Sequence, residues 1–216
     1  MLAIRLLPLA TCVLIALTAA AQELSIGLHA GPTFGRGVYG DPDIDELSEP
    51  IAGYVLGVPF ELAPEGPLSF QADVNLVQRG QRSTLRFGGL IFTDVQWVTR
   101  ITYLETNLLA KAGLEAGDLS VAVVAGPSVA YALAGKTVQG DVSERIDWNR
   151  DDALRRADIG LAVGAQGSLS LGPGRALLDL RYRLGSSNLN GDDDPDAVSI
   201  RSRALEVRLG YLIPLR

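Results

Sequence analysis

Leu68-Ser69-Phe70-Gln71-Ala72-Asp73-Val74-Asn75-Leu76 alternates without a break: the even positions are apolar, while Ser69, Gln71, Asp73 and Asn75 are polar. Side chains on a β-strand point alternately to opposite faces, so this stretch has one greasy face and one wet face. Seven further stretches repeat the pattern, and candidate strands fall at 23–34, 51–62, 68–79, 96–112, 118–134, 157–171, 175–185 and 200–215. Each meets the roughly 9 to 11 residues that a tilted strand needs to cross a bilayer. The connections alternate in length. Those at 63–67, 113–117 and 172–174 are tight, and those at 35–50, 80–95, 135–156 and 186–199 are long. Short turns at one rim and long loops at the other characterise outer-membrane barrels, and an even strand number puts both termini at the short-turn, periplasmic rim. The expectation is an all-β chain folded as an eight-stranded antiparallel up-and-down transmembrane β-barrel.

The chain has 216 residues, of which 47% are hydrophobic and 20% charged, enough for one domain with extensive apolar surface. A formal net charge of −6 and the absence of a Lys/Arg stripe argue against nucleic-acid binding. Residues 1–21 read as an export signal, with Arg5 in the n-region, an apolar run over 6–18 and Ala19-Ala20-Ala21 as the cleavage site. The barrel domain is then 22–216. Cleavage removes Arg5 and Cys12, which takes the charge from −6 to −7 and leaves no thiol chemistry. A lipoprotein reading through Cys12 strands most of the apolar run behind the cleavage point. The uncharged run 119–135 is short for a membrane helix and is interrupted by Gly126-Pro127. Read with period two, it places Val121, Val123, Val129, Tyr131 and Leu133 on one face, and it is expected to be a strand.

Charge distinguishes the two faces of the barrel. With the apolar positions toward lipid, Glu61, Asp73, Glu105, Lys111, Asp158, Asp179, Arg181, Arg183, Glu206 and Arg208 all fall on the opposite, lumenal face. A cation facing hydrocarbon at the bilayer midplane costs about 2 to 4 kcal/mol, so this segregation carries weight. Arg100, Arg201 and Arg203 fall on the lipid-facing parity, near the long-loop ends of their strands, where the cost drops and long side chains snorkel. Eight strands enclose a space that side chains fill, so the ten charges are expected to form a packed polar network. A narrow channel for ions or small solutes is the alternative. On the outer face, Tyr54, Phe60, Phe70, Tyr131, Tyr182 and Tyr211 read as girdle residues. A soluble, lipocalin-like periplasmic barrel, with the apolar face inward, uses the same alternation.

No catalytic site is expected. His29, the only histidine, is placed in the first strand on the lumen side, and neither a Gly-x-Ser-x-Gly nor a His-Glu-x-x-His pattern occurs. The acidic runs Asp41-Pro42-Asp43-Ile44-Asp45-Glu46 and Asn190-Gly191-Asp192-Asp193-Asp194-Pro195-Asp196 offer oxygen ligands of the kind calcium takes, but lack the EF-hand spacing. They are expected to be solvated loops, and no metal or cofactor is assigned. Loop 135–156 carries Glu144, Arg145, Asp147, Arg150, Asp151, Asp152, Arg155 and Arg156 around Trp148. Trp148 is the candidate contact residue there, since Trp and Arg are enriched among interface anchors. The expected partners are outer-membrane lipid and a protein at the extracellular loops.

Five segments carry a resemblance. Gly27-Leu28-His29-Ala30-Gly31, Tyr103-Leu104-Glu105-Thr106-Asn107-Leu108-Leu109-Ala110-Lys111, Ala125-Gly126-Pro127-Ser128-Val129-Ala130-Tyr131, Asp158-Ile159-Gly160 through Gly164, and Arg181-Tyr182-Arg183-Leu184-Gly185 occur in an order that resembles the PorT-like outer-membrane β-barrel domain family. The resemblance implies a small bacterial outer-membrane barrel, in a family whose members mostly have no assigned activity and of which one branch is implicated in protein secretion and gliding. The chain departs from the family pattern at Thr106-Asn107, which tends to be apolar, and at Ile213-Pro214-Leu215-Arg216, where an aromatic commonly marks barrels for assembly.

Overall fold

The computed structural model describes residues 21–64, 66–87, 93–148, 154–191 and 197–215. Nine strands form in chain order: β1 (Ala21–Tyr39), β2 (Ser48–Pro64), β3 (Leu68–Phe87), β4 (Thr93–Ala116), β5 (Leu119–Gln139), β6 (Val142–Arg145), β7 (Ala157–Leu171), β8 (Gly174–Gly185) and β9 (Ile200–Leu215). A four-residue helix, α1 (Pro42–Asp45), lies between β1 and β2. Eight strands close into an antiparallel up-and-down ring, in which β1 pairs with both β2 and β9 and β4 pairs with β5. The short β6 folds back on the end of β5, outside the eight-strand count.

The tight turns gather at the rim that also holds both ends of the ring, where Leu24 pairs with Leu62 and with Leu215. Gly117 at φ 63 and Gly172 at φ 62 make two of these turns, in a backbone region that only glycine enters without a steric cost. At the other rim the strands run well past the expected boundaries. β3 and β4 are 20 and 24 residues long and pair from Leu68↔Ala112 to Phe87↔Thr93, so most of the expected loop 80–95 is a hairpin. Loops 35–50 and 135–156 shrink similarly, to the α1 connection and the β5–β6 hairpin. Apolar alternation reports lipid contact, whereas backbone pairing continues wherever a partner strand is in register, with both faces wet.

The chain is greasy outside and polar inside. Leu28, Leu56, Leu108, Val123, Ile159 and Leu209 are 65, 53, 57, 64, 53 and 66% exposed, while Asp73, Asn75, Asp158, Asp179 and Arg208 are 0% exposed. This overturns the inverted, lipocalin-like arrangement, because a soluble barrel of this size would present a continuous apolar wall to water. Stretch 119–135 is strand within β5, with Val121 and Tyr131 outward and Ala122, Ser128 and Ala130 inward. No helix among the described residues is long and apolar enough to cross a membrane.

Candidate functional site: the charged lumen and its cap

All eight ring strands send polar side chains inward, because each contributes every second residue to the lumen. The ten charged positions Glu61, Asp73, Glu105, Lys111, Asp158, Asp179, Arg181, Arg183, Glu206 and Arg208 are all buried. They are joined by Arg79, which pattern reading left out as the last residue of its strand. The alternation Gln71, Asp73, Asn75, Val77, Arg79, carried to the last residue of the expected strand 68–79, places it inward. Arg175, 22% exposed at the periplasmic end, reaches Glu61 at 3.1 Å. With these two the lumen holds six carboxylates and six cations, so it is electrically balanced.

The contacts fall into three tiers. Near the short-turn rim, Lys111 Nζ donates to Glu61 Oε2 at 2.8 Å. At mid-height Arg181 bridges Asp73 and Asp179, Arg208 donates to Glu206 and lies 3.3 Å from Asp73, and Gln166 donates to Gln71 and Asp179 at 3.0 Å each. His29 Nε2 sits 2.8 Å from Asn75 Oδ1 in the same layer. Gly57 faces this pair, and a Cβ there would lie 1.9 Å from Asn75 Oδ1 and 2.7 Å from His29 Nε2. Higher up, Arg79 bridges Glu105 and Glu206, and Arg183 donates to Asp158 at 2.7 Å, to Ser128 at 3.0 Å and to Ser202 at 2.6 Å. Buried charges persist only when paired and hydrogen-bonded, and each of these carboxylates meets at least one cation.

An apolar cap lies above the top tier. Ile101, Tyr103, Ala130 and Ala132 form a buried cluster, against which Ile146, Trp148 and Leu154 pack from the loop that follows β5 and β6. Tyr103 lies under the Arg79 guanidinium at 5.7 Å, and Arg156 stacks on Trp148 at 5.5 Å. Trp148 is therefore half-buried with its ring turned toward the barrel mouth. Arg150, Asp151 and Asp152 of the same loop lie outside the described residues.

Asp41-Pro42-Asp43-Ile44-Asp45-Glu46 forms α1 and its cap: the Asp41 side chain accepts from Asp43 N at 2.9 Å, and Asp45 accepts from Tyr39 N at 2.9 Å and from Arg36 at 3.1 Å. Asp192 to Asp196 of the second acidic run lie outside the described residues, as do residues 1–20 with the proposed export signal and Cys12. No group of His, Cys, Asp or Glu among the described residues has the arrangement of a metal site.

A closed eight-stranded ring with lipid-compatible walls and a charged, packed interior defines an outer-membrane β-barrel protein. The chain belongs to the outer membrane protein β-barrel domain family, whose sequence profile matches residues 20–190. It resides in the outer membrane. The attachment invasion locus protein Ail of Yersinia pestis is similar in structure, at 15% identity and a TM-score of 0.42, covering 89% of this chain and all of that one. Neisserial surface protein A, NspA, is similar at 14% identity and a TM-score of 0.41, covering 87% of this chain and 96% of that one. A search of curated proteins finds no match.

Proposed function

We propose that this protein is a sealed outer-membrane scaffold that acts through its extracellular hairpins and loops, without catalysis. The observation that carries this reading is the mid-height of the lumen, where Asp73, Asp179 and Arg208 are 0% exposed and Arg208 lies 3.3 Å from Asp73 and 4.0 Å from Asp179, joining β8 and β9 to β3 across the ring. A path for ions needs a continuous water-sized opening, and the complete burial of these charged side chains at mid-height supports a closed layer instead. The surface left to act is then the extracellular end, where the outer ends of β3 and β4 and the turn between β5 and β6 extend beyond the bilayer and Val142 is 67% exposed. Trp148 anchors the base of that surface, and Val142 and Ser143, at the turn between β5 and β6, offer the contact to a partner protein. Within the family we assign the chain to the PorT-like branch, on the succession of segments from Gly27 to Gly185. Residues 1–21 act as a cleaved export signal, so the mature protein begins at Gln22, which N-terminal sequencing of membrane-extracted protein tests directly.

The scaffold reading is tested in planar bilayers and in cells. Purified barrel should give no unitary conductance, and replacing 140–143 by a Gly/Ser linker, which keeps Arg145, should abolish the cellular role while leaving the heat-modifiable gel band. Steady conductance altered by Arg181→Ala or Glu105→Ala would sink the scaffold reading and establish the channel.

A further inference from the structure

The structure carries a row of three cations on the outside of the barrel. Arg100 on β4 lies directly opposite Lys136 on β5, and Lys136 lies directly opposite Arg145 on β6. Arg100 keeps the outward parity of Leu104 and Leu108 on the same strand, and directly paired residues share a face, so all three point outward. Lys136 does so because of a bulge. The pairing of β4 with β5 slips by one residue at Thr102/Tyr103, and without that slip Lys136 would fall on the inward parity of Ser128 and Ala130. A bulge re-aims the side chains beyond it, and here it aligns a lysine with two arginines.

Like charges directly opposite one another on paired strands are destabilising. The remedy used elsewhere at this rim is an acid: Arg36 has Asp45 at 3.1 Å, and Arg82 has Glu49 at 3.7 Å. Among the described residues, no carboxylate pairs with Arg100, Lys136 or Arg145; Arg100 donates only to the Ala52 carbonyl, at 3.1 Å. The three cations border a hollow of about 720 Å³, together with Gln78, Thr102 and Leu133 on the outer wall, and Ile146 and Trp148 of the cap close its inner side. Leu133, 50% exposed, is the last large apolar residue on the outer face of β5 before Lys136, with only Ala134 between them on that face, and Tyr131 below it is 49% exposed. The row therefore stands three residues beyond the apolar band, about 10 Å along the strand, at the level of lipid headgroups.

We propose that Arg100, Lys136 and Arg145 bind the phosphate groups of the phosphorylated glycolipid in the outer leaflet of the membrane, with the sugar against Gln78 and Thr102 and an acyl chain descending past Leu133. The charge complementarity is direct: a cationic row with no carboxylate partner among the described residues faces sideways into a leaflet whose headgroups carry phosphate. Its height above the apolar band suits a lipid phosphate, and its outward aim separates it from the loop tips that would meet a soluble partner.

The test uses the full-length mature barrel in detergent, with lipid A carrying two phosphates, the same lipid A after phosphatase treatment, and soluble heparin as probes, scored by native mass spectrometry. The wild type should retain the phosphorylated lipid, with retention falling about tenfold or more for the triple variant Arg100→Ala/Lys136→Ala/Arg145→Ala and for the dephosphorylated lipid. Arg100→Lys and Lys136→Arg should restore it. Equal retention of phosphorylated and dephosphorylated lipid by the wild type overturns the proposal even if the triple variant fails to fold. Heparin bound as tightly as lipid A through the same three residues overturns it too, in favour of a soluble polyanion. In lipid-free detergent Lys136→Ala/Arg145→Ala, which keeps the Arg100 bond to the Ala52 carbonyl, should be at least as resistant to heat as the wild type, because it relieves repulsion; lower resistance would make the row structural and refute the assignment.

Discussion

Arg79 Nη2 lies 3.0 Å from Glu206 Oε1 although 127 residues separate them in the chain, and the same nitrogen contacts Glu105. One guanidinium thus joins β3, β4 and β9, holding two carboxylates together that would otherwise repel. Arg79→Met should cost about 3 to 5 kcal/mol, because it removes the cation that Glu105 and Glu206 share and leaves these two buried acids to Arg183 and Arg208, which already serve Asp158 and Asp73. Urea unfolding in micelles reads this. Arg82→Met is the comparison, since the Arg82–Glu49 pair is 3.7 Å long and 46% and 60% exposed, and such pairs contribute under about 1 kcal/mol. Equal effects of the two substitutions would mean that the upper tier is open to solvent.

Gly57 is required by a neighbour rather than by its own backbone. A methyl group there enters the space of the His29–Asn75 hydrogen bond. Gly57→Ala should destabilise the barrel by about 1 to 3 kcal/mol, the usual effect of overpacking a filled interior. Gly57→Ala combined with Asn75→Ala should recover part of that loss, because the clashing amide is gone. Absence of any recovery would place the strain elsewhere.

The outer wall should discriminate by depth. Leu108, 57% exposed, sits mid-way along the outward apolar residues of β4, whereas Val98 lies on the same face of the same strand near the extracellular rim. Leu108→Arg should cost about 2 to 4 kcal/mol, and Val98→Arg about 0 to 1. Folded yield in lipid vesicles, read from the heat-modifiable band, measures both. Similar yields for the two variants would contradict the placement of the bilayer on β4.

Period-two alternation made the eight ring strands and the inward aim of Asp73, Glu105 and Arg181 legible, because lipid and lumen impose opposite chemistry on successive residues. It failed where that contrast ends. β3 and β4 continue beyond Arg79 and Arg100 with polar residues on both faces, so nothing in hydropathy marks where pairing stops. Arg79 was lost at such a boundary. Lys136 was hidden for a different reason, since a one-residue bulge reverses parity without any sequence sign of its own. The inward turn of Trp148 depends on Tyr103 and Ala132 from other strands, a tertiary contact that local pattern cannot express.

Salt should affect the two charged systems differently. At about 0.1 M salt, charges in water are screened beyond about 10 Å, but pairs removed from solvent are screened far less. Asp73, Arg181, Asp179 and Arg208 are 0 to 1% exposed, so raising sodium chloride several-fold should leave their contribution to stability unchanged. The outward row of Arg100, Lys136 and Arg145 is exposed to solvent and mutually repulsive, so screening should relieve it. The wild-type barrel in lipid-free detergent is therefore expected to become slightly more resistant to urea as salt rises, and Lys136→Ala should remove that gain by taking out the central charge of the row. A midpoint that falls with salt in both proteins would show ions reaching the lumenal pairs, and the sealed interior would have to be given up.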